Sequence, residues 1–384
     1  MSQSEILSTE SDLLKVQQDL KSHLDKPSNI GRGVLGFDGF IDSMIRFKNP
    51  ESMSDFGPAV EKAAGIATSA VVEHQGQRMG GNGPLLASAL GSLGKDLGEV
   101  HYFGALGLPE IHPLYLEDFQ PKVTTMSSFA NPSRSDCLEF TDGKIMLSDF
   151  KPGEAITWEN LLKEIGEEKV SSFLRQADFM AALNWGKVPY ATDLWIQSVK
   201  KWTSLTGDHD RLFFMDLAEF STSPDEDKKR LPQMINEVAP LTRSVLSLNL
   251  KEGWQFAALY GLDYFDQKEP EAVSACAKAI RDASGLDRVI IHPNQGASMA
   301  HSEGEVWVQG PHCSDPLIST GAGDHFGAGI LFGLLQGLNP ATSLLLGNAT
   351  SGYYVRSGQS PSPNNLRHLL ELWESKTLGE RLSH

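Results

Sequence analysis

Cysteine is scarce. Cys137, Cys276 and Cys313 are the only three in 384 residues, odd in number and far apart, so no CxxC pair is available to grip zinc or run dithiol chemistry. A reducing compartment is expected. Long apolar runs are also missing: nothing approaches a membrane span, and the N-terminal stretch SQSEILSTESDLLKVQQDLKSHLD is charged throughout, without the apolar centre of a secretory signal. The cytoplasm is the expected location, with no membrane partner. Basic residues are few beside acidic ones, 33 against 49, and the net charge of −16 repels nucleic-acid phosphates and anionic lipid alike. It repels a free nucleotide too, so any phosphate chemistry must rely on a metal ion and on concentrated backbone donors. No Walker A sequence, HExxH or GxSxG elbow occurs. What is present is ordinary globular composition, 40% hydrophobic and 21% charged, in a chain too long for one compact core. Two domains, or one large domain with a satellite, are expected.

Apolar residues at Ile6, Leu13 and Leu20, and at Leu7 and Leu14, mark one face of a helix over residues 5–24, ended by Lys26, Pro27, Ser28 and Asn29. It is too short for a coiled-coil arm and is expected to dock on its own domain. From Val34 onward, VLGF, VHYFGAL, DFMAAL, RLFFMDL, SVLSLN and RVIIHP read as buried strands, separated by helical patterns at 84–93, 191–203, 228–238, 252–260 and 270–283. Strands without internal alternation, interleaved with helices, predict an α/β fold with a mainly parallel sheet covered on both faces. Cys137 to Leu147 alternates around Asp142-Gly143, a tight hairpin signal and the core of a β satellite. A second hairpin is read in MAHSEGEVWV, around Glu303 and Gly304.

The stretch Ser319-Thr-Gly-Ala-Gly-Asp324 reads as a Gly-rich turn opening a buried helix. Gly321, Ala322 and Gly323 let their N–H groups approach a ligand, and the helix adds its positive N-terminal dipole. Gly329, Gly333 and Gly337 recur every four residues on one face, as a packing surface. Asp324 either caps the helix or takes a proton during reaction. Further upstream, Asn249-Leu-Lys-Glu252 follows the strand SVLSL, where a helix cap and a metal-organising pair are both open readings. Gly80-Gly-Asn-Gly-Pro84 enters another helix, and Gly36-Phe-Asp38-Gly-Phe-Ile-Asp42 leaves the first strand with two carboxylates.

Together these stretches resemble the ribokinase-like, or PfkB, carbohydrate kinases, over most of the chain from about Val34 to Gly358. The resemblance implies a doubly wound α/β domain over 31–384 with β-lid insertions roughly within 43–79 and 124–150, preceded by a helical extension over 1–30. It implies an ATP-dependent kinase acting on a hydroxymethyl group of a sugar or sugar-like molecule, with magnesium as cofactor. Asp324 would be the base and the Gly321 to Gly323 amides the anion hole. Asn249 and Glu252 would organise magnesium and the phosphates, Glu252 through metal-bound water. Asp42 or Asp38, with Gly80, Gly81, Asn82 and Asn184, would hold the acceptor. Thr320 is assigned to the nucleotide, and Gly296 and Asn348 fall where the family encloses adenine, though they read equally as a turn and a helix surface. The lid would close over the sugar and pair with a second subunit.

Three departures bear on this. Leu85 stands where relatives often carry a sugar-binding Asn, Ile318 where they place a cation-binding Asp, and His325 where they have a small residue. Of the roles open to His325, facing solvent is the expected one. Gly31-Arg-Gly33-Val-Leu-Gly36 spells the dinucleotide fingerprint of an NAD-dependent dehydrogenase, but it precedes a strand instead of following one. A non-catalytic ribokinase-like binding protein is the other alternative, and the base beside an anion hole speaks against it.

Overall fold

The computed structural model describes residues 3–382. In chain order its strands are β1 (Gln3–Leu7), β2 (Gly31–Phe37), β3 (Phe40–Asn49), β4 (Val71–Gly80), β5 (Gly98–Gly104), β6 (Thr125–Ser128), β7 (Ser133–Phe140), β8 (Gly143–Asp149), β9 (Phe179–Leu183), β10 (Leu212–Asp216), β11 (Arg243–Asn249), β12 (Arg288–His292), β13 (Gly296–His301) and β14 (Gly304–Gln309). The helices are α1 (Glu10–Asp25), α2 (Met53–Lys62), α3 (Asn82–Gly94), α4 (Trp158–Ile165), α5 (Glu167–Gln176), α6 (Ala191–Thr206), α7 (Asp225–Val238), α8 (Leu250–Leu259), α9 (Pro270–Ser284), α10 (Ala322–Leu335), α11 (Pro340–Ser357) and α12 (Pro363–Glu374). Among the described residues no helix is long and apolar enough to cross a membrane.

Ten strands form one sheet in the order β1-β14-β13-β12-β11-β10-β9-β2-β5-β6. Pairing is parallel from β6 through β5, β2, β9, β10 and β11 to β12. It turns antiparallel only through the β12–β13–β14 meander. Every residue of β9 and β10 is buried, which is why these segments read as continuous apolar runs. One core cluster gathers Leu86, Leu90, Ile330 and Leu345 on one face of the sheet, and another gathers Trp195, Trp202, Met234 and Phe256 on the other. The expected sheet, covered on both sides, is what forms.

The N-terminal segment differs from its expected form. Helix α1 starts only at Glu10, where the Thr9 side chain accepts from the Asp12 amide. Residues 3–7 instead extend the large sheet, β1 pairing in parallel with β14 so that Ile6 faces Trp307 across the ladder. An open edge on β14 draws Ile6 and Leu7 out of the helical pattern. The rest of α1 docks through Val16, Leu20 and Leu24, as expected.

A separate sheet, β4-β3-β7-β8, forms the satellite. Its β7–β8 hairpin turns at Thr141-Asp142, with Phe140 opposite Gly143. Asp142 accepts from the Met53 amide at 2.6 Å, tying α2 to the hairpin. Strand β6, inside the range expected for the lid, belongs to the large sheet. The glycine face of α10 also divides by role. A Cβ on Gly329 would lie 2.8 Å from the Gly347 Cα, and one on Gly333 3.2 Å from the Ser343 Cα, so both form the seam with α11. Gly337 touches nothing there; its φ of 70° ends the helix.

Candidate active site

Two cavities meet at the N-terminus of α10. The larger, about 1270 Å³, lies under the lid and is lined by Asp42, Arg78, Leu85, Lys144, Thr320 and Tyr354 among others. The smaller, about 330 Å³, is lined by Asn249, His292, Ala322, Gly323 and Asn348. Ser319 borders both.

The turn between them is built for a bare backbone. Gly321 sits at φ 89°, and a Cβ there would come within 3.0 Å of the Tyr354 hydroxyl. The Ala322 amide donates to the Ser319 carbonyl at 3.2 Å. The Gly321 and Gly323 amides have no partner among the described residues and remain available to an anion, so two of the three expected donors are free. His325 does not face solvent: it is 1% exposed. Its Nδ1 donates to the Gly321 carbonyl at 2.7 Å, its Nε2 accepts from Ser360 Oγ at 2.9 Å, and its ring stacks on Tyr354 at 3.6 Å. Burial pushes it down to about 4, leaving it neutral. Its work is to hold the turn, because α10 is buried on the side where the small residue of relatives would stand.

Asp324, 5% exposed, sits in the first turn of α10. Asn82 Nδ2 donates to its Oδ1 at 2.7 Å. Burial first, then the neighbouring Asp216, lift its carboxyl well above the usual range, against the Asn82 hydrogen bond. Asn82 is in turn fixed through its own amide, which donates to Asp38 at 2.9 Å. Asp38 also accepts from the Gly83 amide at 2.9 Å, Asn184 Nδ2 at 2.6 Å and the Tyr102 hydroxyl at 3.1 Å, and it is fully buried. Its carboxylate is a bracket that joins β2, α3 and β9.

Of the six residues expected to hold the acceptor, Asp42 alone lines the large cavity. Its carboxyl is raised to about 6 by burial, with the Ser135 hydrogen bond and the Lys144 charge opposing. Gly80 and Gly81 pack over the two carboxylates: a Cβ on Gly80 would lie 2.3 Å from Asp42 Oδ2, and one on Gly81 2.9 Å from Asp38 Oδ2. Asn82 donates to Asp324 and Asn184 to Asp38. Asn184, in left-handed backbone at φ 65°, leaves its buried Oδ1 without a partner.

Asn249 and Glu252 form a capping box at the start of α8. The Glu252 amide donates to Asn249 Oδ1 at 2.9 Å, and Glu252 receives the Asn249 amide at 2.9 Å and its Nδ2 at 2.6 Å. The cap and the metal-organising role are compatible, because each carboxylate oxygen keeps a second lone pair. Glu252 is 3% exposed and rises to about 8 through burial and then Asp216. Asp216, ending β10, rises to about 6 by burial. The sequence reading missed Asp216; its signal was a carboxylate closing the apolar run RLFFMDL. No three His, Cys, Asp or Glu side chains cluster as a metal cage among the described residues. Buried acids facing one another with hard oxygen donors do fit a magnesium ion held mainly by phosphates and water. Asn348 lines the smaller cavity and donates to the Val308 carbonyl at 3.0 Å. Gly296 does not line it; a Cβ there would strike the Trp307 ring at 2.7 Å, so its smallness serves the β13–β14 hairpin. Thr320 borders the lid cavity instead of the smaller one.

Comparison with known proteins bears on the family and the fold. The chain matches the family model described as prokaryotic ketohexokinase over residues 7–373. It is 27% identical over 358 residues to a ketohexokinase of Haloferax volcanii, covering 88% of this chain and 90% of that one. Its fold is similar to that of a Thermotoga maritima ribokinase, with a TM-score of 0.65 at 14% identity, covering 89% of this chain and 99% of that one. An Arabidopsis thaliana ribokinase complexed with ribose and ATP gives a TM-score of 0.63 at 15% identity, covering 90% and 99%. At such identities these structures speak for the fold alone. The match over nearly the whole chain carries the assignment: the protein belongs to the prokaryotic ketohexokinase family and is a carbohydrate kinase of the PfkB type.

Proposed function

We propose that the protein transfers the γ-phosphoryl group of ATP to a hydroxyl of a ketohexose, with Asp324 as the base. The observation that carries this is the place of Asp324, held by Asn82 in the first turn of a helix whose neighbouring residues line both cavities, Thr320 and His325 the one under the lid and Ala322 and Gly323 the smaller one. A ketohexokinase among its relatives supports a ketohexose acceptor, and a ribokinase of similar fold complexed with ribose and ATP supports a nucleotide donor. In this scheme Asp42 accepts hydrogen bonds from acceptor hydroxyls, and Leu85 and Ile318 give the same cavity an apolar wall. Asp324 takes the hydroxyl proton as the oxygen attacks, and the Gly321 and Gly323 amides receive the charge on the phosphoryl oxygens. A carboxyl raised by burial is a stronger base than an exposed one. Glu252, Asp216 and Asn249 would hold a magnesium ion through water, and that ion would supply positive charge to offset the repulsion between the two carboxylates.

The lid supports a homodimer: on its two edge strands Val71 is 59% exposed and Leu147 55%, large apolar side chains left open to a partner. The dehydrogenase alternative loses its ground, since GRGVLG is the body of β2. The test is ADP release with magnesium and ATP across ketohexoses, aldoses and nucleosides. Turnover with a ketohexose is expected. Inertness toward every acceptor, with ligand binding retained, contradicts the kinase reading and supports the binding-protein alternative.

A further inference from the structure

The Gly321 amide has to meet an anion, yet it belongs to the residue type with the least backbone restraint. A donor aimed before the charge arrives needs its peptide plane held from outside. Tyr354, which has no task in the scheme above, does this together with His325. The Tyr354 hydroxyl, on α11, donates to the Thr320 carbonyl at 2.9 Å. That carbonyl and the Gly321 N–H share one trans peptide and point opposite ways, so the bond turns the amide away from Tyr354. The next plane is held as well. The Gly321 carbonyl accepts from the His325 amide at 3.0 Å and from His325 Nδ1 at 2.7 Å, which occupies both its lone pairs. At the other end of that plane the Ala322 amide donates to the Ser319 carbonyl. Both peptides that flank Gly321 are therefore fixed, and with them its φ of 89° and ψ of −2°. The two rings stack with centroids 3.6 Å apart and planes 13° from parallel. Ser360 Oγ, 2.9 Å from His325 Nε2, donates to it and fixes the tautomer. Burial lowers His325 to about 4 and raises Tyr354 to about 12, so each keeps its donor proton at neutral pH.

We propose that Tyr354 and His325, with Ser360 behind them, are positioning residues that aim the Gly321 N–H at the phosphoryl group in transit, an inference that rests on the kinase reading. In the transfer the bond from the γ-phosphorus to the bridging oxygen breaks, its electron pair leaving on ADP. The bond to the acceptor oxygen forms, and the hydroxyl proton goes to Asp324. The remaining phosphoryl oxygens stay negative throughout, and the held Gly321 amide meets them without first having to turn. Tyr354, His325 and Ser360 also line the lid cavity, so the support of the anion hole is at the same time a wall around the acceptor. The two roles have different kinetic signatures. A side chain that binds the acceptor alike in ground and transition states changes KM, whereas one that aims the amide changes kcat.

The test combines steady-state kinetics with thermal shift in ADP and aluminium fluoride, a mimic of the transferring group. Tyr354→Phe keeps the ring stack and removes only the hydroxyl; it should lower kcat about tenfold, with KM for the ketohexose little changed. His325→Ala should lower kcat by at least as much. His325→Asn, whose side-chain amide can donate to the same carbonyl, should recover most of that loss. Tyr354→Phe and His325→Ala should also lose much of the extra stabilisation that ADP–aluminium fluoride gives the native protein, while keeping that of ADP alone. The acid limb of their kcat/KM profiles should stay in place, since the base is untouched. His101→Asn removes a buried ring stacked on Phe173 at 3.6 Å that lines neither cavity; it should lower the melting temperature and leave kcat unchanged. Native kcat in Tyr354→Phe or His325→Ala, a raised KM at native kcat, or no gain of His325→Asn over His325→Ala overturns the positioning role and leaves the kinase reading intact. If the native protein itself turns over no acceptor, the kinase reading fails instead, and the fluoride-dependent shift decides. Its loss in both variants then supports the positioning role; its survival in them, or its absence from the native protein, overturns it.

Discussion

Asp324 is useful only because Asn82 points it. The single hydrogen bond of 2.7 Å both fixes the carboxyl and favours its ionised form against burial and the repulsion of Asp216. Removing it with Asn82→Ala should raise the carboxyl further, so the base stays protonated to higher pH. The acid limb of the kcat/KM profile should shift upward in pH, with a loss of up to about a hundredfold at neutral pH from misplacement; an unmoved limb would mean that Asn82 does not tune the base. At this scale the sequence was uneven. Asp324 was legible because its chemistry is local: small residues, a carboxylate and a helix start are contiguous. Asp38 and Asp42, four residues apart on either side of a turn, were not separable, because spacing does not reveal which carboxylate meets four donors and which meets a cavity. Asp216 was invisible beside Asp324, since only the fold brings its strand to the α10 turn.

Among the elements, α10 matters most, and its position depends on its seam with α11. A methyl group at Gly329 would sit 2.7 Å from Thr350 Oγ1 and 2.8 Å from the Leu346 carbonyl, with backbone on two sides and nothing flexible to yield. Gly329→Ala should therefore cost about 1–3 kcal/mol in a denaturant melt and lower kcat as the helix end shifts; native stability in that variant would show that the seam can open freely. Strands buried on both faces were legible as apolar runs, and Asp142-Gly143 marked the hairpin to within one residue, the turn falling at Thr141-Asp142. Strand β1 was not, because Ile6 and Leu7 fit the helical period of the residues that follow and only the open edge of β14 decides between the two forms.

Across the whole molecule, buried ionisable groups set an optimum in stability. Asp42 and Asp216 near 6 and Glu252 near 8 are all raised, so they stabilise the fold while neutral, and that contribution is lost as pH rises through those values. His292 and His325, each lowered to about 4, and His101, lowered to about 3, act oppositely. Their neutral forms stabilise the fold above the ordinary histidine range of about 6.5, and this is lost on acidification. The ligand-free melting temperature should peak near about pH 6.5, and its alkaline decline should shrink with magnesium and ATP; a melting temperature rising steadily to pH 9 contradicts the buried acids. Charge on the lid surface is the matching test of assembly. Leu147→Glu should shift the protein from dimer to monomer in sedimentation velocity, whereas an unchanged mass removes that face from the interface. Neither the pair of cavities nor the apolar lid face was legible in the sequence beyond the family resemblance, because both arise where two sheets face each other or solvent.

The most direct measurement is kcat for Asp324→Asn with magnesium, ATP and a ketohexose, alongside calorimetric binding of the nucleotide. The account predicts a fall of about 10² to 10⁴-fold with nucleotide binding retained. Turnover at the native rate would contradict it.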